Sequence, residues 1–90
     1  MAMTATTRFA FEGRFIVASF LDFVVRRAER LDVKTRIVGA DDRNVTVDVT
    51  GQPDLIDAFE MACSLGPLDC LVMDCRSTAT AVSEMETSDR

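Results

Sequence analysis

The sequence predicts an α+β sandwich, a four-stranded antiparallel sheet with two helices on one face, joined in the order β-α-β-β-α-β. Three observations carry that expectation. Three stretches alternate apolar and polar residues, the period of a strand with one buried face, and a fourth short apolar run follows near the end. Two intervening stretches repeat apolar residues at three- and four-residue steps, the period of an amphipathic helix. The connections are short, and no repeat or linker divides the 90 residues, so two βαβ halves close on a single core.

The first strand is expected over residues 7–15, TRFAFEGRF. Phe9, Phe11, Gly13 and Phe15 share one face, and Arg8, Ala10, Glu12 and Arg14 the other. The period changes at Val17: Val17, Phe20, Leu21, Val24, Ala28 and Leu31 make a helical stripe, with the helix itself expected from about Phe20 to Arg30. Arg26, Arg27 and Arg30 fall in its last turns, where cations suit the negative end of the helix dipole. Residues 33–39, VKTRIVG, alternate again; "ADDRN" supplies turn formers, and "VTVDVTG" sets Val45, Val47 and Val49 on one face, so these two strands form a hairpin.

Gly51 ends the hairpin, and Pro53 suits the first turn of a second helix because no amide donor is needed there. Leu55, Ile56, Phe59, Ala62 and Cys63 form its apolar face, and Gly66 followed by Pro67 stops it. The last strand is expected over "CLVMDC", Cys70 to Cys75. The domain is thus expected over residues 7–76, with a flexible polar tail at 77–90. The arrangement is ferredoxin-like, and many unrelated activities use it.

Composition narrows the function classes. With 48% apolar residues the chain can bury one modest core, but 90 residues cannot build two. A net charge of −5 argues against a partner with a phosphate backbone, which selects a basic face, so neither nucleic acid nor an acidic membrane is an expected partner. No apolar run approaches the roughly 20 residues of a membrane span. Cys63, Cys70 and Cys75 occur with no histidine, in a spacing that matches no zinc finger or ribbon. They read as small core hydrophobes, reduced thiols in a cytoplasmic protein, and no metal or other cofactor is expected.

The spacing from about Phe9 to Cys75 resembles the acylphosphatase family. Gly13 stands where that family has the glycine ending its first strand, and Phe20 where it has the aromatic before its arginine. Leu31 and Val33 fall on the two leucines of its "LGL", Ile37 on the valine of its "GWV", and Asp42 and Val45 on the acidic residue and valine of its hairpin. Gly51, Ile56, Phe59, Cys63, Gly66, Pro67, Cys70, Val72 and Cys75 keep the step lengths of the second half. The resemblance implies the ferredoxin-like fold. For an active member it also implies a loop after the first strand whose amides cradle the phosphate of an acyl phosphate, an arginine that binds it, and an asparagine on the second strand that orients water.

The same resemblance places those groups here. The loop reads "FIVASFL", so Leu21 takes the arginine position, Ile16 and Val17 replace Gln-Gly, and Gly39 takes the asparagine position. Catalytic residues are therefore expected to be absent, because losing one preorganised polar group commonly costs about 10² to 10³ in rate. The candidate anion-binding loop is Arg14, Phe15, Ile16, Val17, Ala18, Ser19 and Phe20. Ser19 and Asp22 form S-x-x-D, a variant capping box whose carboxylate would compete with a bound phosphate. Arg14 and Arg36 read as solvated charges on the polar strand face, and Asp41, Asp42 and Asp48 as hairpin charges rather than a cation site.

Three functions fit this pattern. The first is a catalytically degenerate acylphosphatase-like domain acting in protein interaction or weak ligand binding. The second is a divergent acylphosphatase that splits the carboxyl-phosphate bond with loop amides and Arg14. The third is a self-associating module, a homodimer in which an exposed sheet edge pairs with a second copy.

Overall fold

The computed structural model describes residues 4–79. Six elements follow in the expected order: β1 (Ala5–Arg14), α1 (Val17–Leu31), β2 (Lys34–Ala40), β3 (Asn44–Gly51), α2 (Pro53–Leu65) and β4 (Leu71–Ala79). The sheet runs β2-β3-β1-β4 and every neighbouring pair is antiparallel, so β1 lies inside and β2 and β4 form the edges.

The period-two pattern of β1 and β3 explains their shared face. Phe9 pairs with Val47 and Phe11 with Val45 in register, and all four are almost fully buried beneath the helices. From above, α1 contributes Phe20, Val24 and Ala28 and α2 contributes Ile56, Phe59 and Cys63. The aromatic rings form a chain, Phe59–Phe9–Phe11–Phe20–Phe15, with centroids 4.6 to 6.1 Å apart. No polar or charged side chain among the described residues is buried with them.

Local signals set most boundaries. Pro53 occupies the first turn of α2, and Gly66 ends that helix with φ of 65°, a conformation a β-carbon would disfavour. Gly13 is needed for a different reason: β4 passes so close that a β-carbon there would collide with the Leu71 carbonyl. The register of β4 shifts at the same point, between the partners of Glu12 and Gly13.

Two boundaries differ from the sequence expectation by three residues or more. The first helix begins at Val17, three residues before Phe20, because Phe15 turns inward and only Ile16 separates it from the first turn. The last strand runs on to Ala79, since Ser77, Thr78 and Ala79 pair with Phe9, Arg8 and Thr7. Those three residues had been assigned to the polar tail; the rest of that tail, residues 80–90, lies outside the described residues. Among the described residues no helix is long and apolar enough to cross a membrane.

Candidate functional site

The turn between β1 and α1 is short because both of its ends are anchored. Phe15 is 6% exposed and its ring lies 4.6 Å from that of Phe20, which ties the turn to the core. On the other side, the Phe15 amide donates to the Asp42 carbonyl at 2.9 Å and the Gly13 amide to the Arg43 carbonyl at 3.0 Å, joining the turn to the β2–β3 connection.

That anchoring leaves the start of α1 open. Ile16 is the N-cap, in an extended conformation, and no side chain caps the helix. The first helical bond runs from the Phe20 amide to the Ile16 carbonyl at 3.0 Å. The amides of Val17, Ala18 and Ser19 therefore meet no acceptor among the described residues, and they sit at the positive end of the helix dipole.

The capping-box expectation fails here. Because α1 starts at Val17, Ser19 lies inside its first turn, and its hydroxyl donates to Asp69 Oδ1 at 2.8 Å. Asp22 lies one turn further on and pairs with Arg26 at 2.9 Å. The carboxylate beside the helix start is thus Asp69, supplied by the α2–β4 connection, and sequence reasoning missed it. Cys70 lies beside it, with Sγ 3.8 Å from both the Ile16 carbonyl and Asp69 Oδ1.

A shallow depression of about 260 Å³ opens at this place, lined by Arg14, Phe15, Ile16, Asp42, Arg43 and Asp69. Two guanidinium and two carboxylate side chains share its rim, so it carries no formal net charge. Arg43 was the second residue missed; it reaches the site from the hairpin tip, which Asp41 shapes by accepting the amides of Arg43 and Asn44 at 2.8 and 2.7 Å. Those two bonds hold the Asp41 carboxyl below its ordinary value.

The remaining candidates do not line the depression. Leu21 is half-buried and packs against the core, while Gly39 is exposed on β2, where an added β-carbon would meet nothing within 4 Å. Arg36 is directed to the open sheet face, 3.3 Å from Asp48, which also takes a two-bond contact from Arg8 at 2.7 and 3.0 Å. Asp48 is consequently separate from Asp41 and Asp42 in the interactions it makes. A larger depression of about 660 Å³ runs along α1 between Asp22, Val25, Arg26, Glu29 and Arg30, but it is bounded by one helix alone, and no free main-chain amide converges on it.

The thiols are also separate from one another in environment. Cys63 is fully buried, and burial pushes it up to about 12; Cys75 is half-buried, and burial followed by the nearby Glu60 carboxylate pushes it up to about 11. Neither is a thiolate at neutral pH, which removes both as nucleophiles.

No family model matches the sequence, and no curated protein matches it. Solved structures do. The chain is similar to an acylphosphatase from Coxiella burnetii, with a TM-score of 0.79 at 16% identity over 94% of this chain and 90% of that one. An acylphosphatase from Bacillus subtilis gives a TM-score of 0.79 at 23% identity, covering 91% of this chain and 90% of that one. Full-length HypF, in a phosphate- and nucleotide-bound form, gives 0.67 at 17% identity; the match covers 96% of this chain but 12% of HypF. At these identities the likeness establishes architecture: the fold is acylphosphatase-like.

Proposed function

We propose that the chain is a catalytically degenerate acylphosphatase-like domain that works through protein interaction or weak ligand binding. The observation that carries this reading is the make-up of the loop's surroundings. The amides of Val17, Ala18 and Ser19 are free to meet an anion, yet Ser19 holds the Asp69 carboxylate beside them, and Asp42 lies on the same rim. A carboxylate so placed takes up the favourable field of the helix start and repels an incoming phosphate. Arg14 and Arg43 offset that repulsion without giving the depression a net positive charge.

The two positions matched to catalytic groups support the same reading. Leu21 is committed to apolar packing and offers no hydrogen bond to a phosphate, and Gly39 has no side chain with which to orient water. Open space at Gly39 also means that packing does not forbid a larger residue there. Cytoplasmic residence fits the same picture, since three free thiols suit a reducing compartment.

Hydrolysis of benzoyl phosphate tests the proposal. The native chain is expected to show no enzyme-like turnover, whereas Leu21→Arg with Gly39→Asn is expected to gain measurable turnover. Rapid hydrolysis by the native chain would instead favour the divergent hydrolase, with Arg14 and Arg43 supplying the positive charge.

A further inference from the structure

We propose that β4 docks against β4 of a second copy, antiparallel and in the register that sets Cys75 opposite Cys75 of that copy. The sheet has two edges, and their charges separate them. β2 carries Lys34 and Arg36 with no acidic residue. Two copies of β2 would bring only positive charge together, a pattern that discourages pairing. β4 carries one charge of each sign, Asp74 and Arg76, and both are exposed.

The main-chain direction of β4 follows from its neighbours. The Gly13 amide donates toward β3, so Gly13, Phe11 and Phe9 turn their main chain to β3, and Glu12, Ala10 and Arg8 turn theirs to β4. Asp74, Arg76 and Thr78, the β4 partners of that second set, therefore face inward, while Cys75 and Ser77 present their amides and carbonyls at the outer edge. Among the described residues nothing pairs with that edge.

With Cys75 at the twofold axis, the two Cys75 residues exchange a pair of main-chain hydrogen bonds. Asp74 then faces Arg76 of the second copy, twice, in the closely spaced positions where side chains interact most. The Cys75 thiols, with values near 11, meet uncharged.

This arrangement also stops at two copies. It joins two sheets into one of eight strands whose remaining edges are both β2, the cationic edge that resists self-pairing. Dimerisation through β4 does not depend on the chemistry of the β1–α1 turn, so the outcome of the hydrolysis assay leaves it untouched.

Sedimentation equilibrium of the full chain up to millimolar concentration tests it. A monomer–dimer equilibrium is expected; monomer throughout, or growth beyond the dimer, would overturn it. Arg76→Asp should weaken the dimer by about tenfold or more, because four carboxylates then share the seam. Exchanging both charges, Asp74→Arg with Arg76→Asp, should restore most of the affinity. A dimer indifferent to Arg76→Asp, or not recovered by the exchange, would refute this register, and circular dichroism of each variant confirms that these exposed positions leave the fold intact.

Discussion

Phe20 links the core to the candidate site, and its removal tests the packing on which both depend. The side chain is fully buried, with its ring 5.4 Å from Phe11 in an edge-on arrangement and 4.6 Å from Phe15. Truncating a buried phenylalanine to alanine costs about 3–5 kcal/mol, depending on how far the surroundings collapse into the space. Collapse is restricted here because β1, which carries Phe11, is paired on both sides, to β3 and to β4. Phe20→Ala should therefore fall in the upper half of that range, at about 4 kcal/mol, against a total stability of roughly 5–15 kcal/mol.

Phe20→Leu keeps an apolar side chain of nearer volume and should cost about 1.5 kcal/mol, with the loss of two aromatic contacts included. Urea unfolding followed by far-ultraviolet circular dichroism measures both, since the chain has neither tryptophan nor tyrosine for fluorescence. The midpoint should fall with an unchanged slope. A cost for Phe20→Ala below about 1.5 kcal/mol, or equal costs for both variants, would refute this account of the packing.

Two further outcomes follow from the sheet. Gly13→Ala should lower the thermal midpoint, with an overpacking cost of about 1–3 kcal/mol, because the Leu71 carbonyl occupies the space of the new β-carbon; an unchanged midpoint would contradict that close approach. On the open face, hydrogen bonding from Arg8, with a smaller contribution from Arg36, holds the Asp48 carboxyl below its ordinary value. A lowered folded value contributes stability that is present above the unfolded value of about 4 and is lost as pH falls through the folded one. The urea midpoint should thus drop below about pH 4, and less steeply in Asp48→Asn, with Asp41 accounting for part of the slope that remains; parallel acid limbs in the two proteins would exclude this origin.

What could be read in advance was whatever a local period encodes. Alternation identified Phe9, Phe11, Val45, Val47 and Val49, and helical spacing identified Val24, Ile56 and Phe59, because each burial depends on one face of one element. The start of α1 was less legible. Ile16 is an N-cap without a capping side chain, while Ser19 and Asp22 imitate a cap at the wrong place. The end of β4 was hidden for a non-local reason: Ser77 and Ala79, on either side of Thr78, have little strand character of their own, and the segment becomes strand by pairing with Thr7–Phe9. Asp69 was least legible of all, since its role depends on a contact with Ser19 fifty residues away in sequence.

The same division separates what holds the β1–α1 turn from what surrounds it. The free amides of Val17, Ala18 and Ser19 exist because Phe15 and Phe20 are buried and because the Phe15 amide is bonded to Asp42; none of these contacts requires a bound anion. Core packing thus maintains the cradle geometry as a by-product of stability. What an anion would meet next is the rim, where Arg14, Ile16, Asp42, Arg43 and Asp69 are all exposed. Substitutions there cost little in folding. The rim thus holds two arginines and two carboxylates without any part in the packing, while the aromatic chain below holds the turn in place.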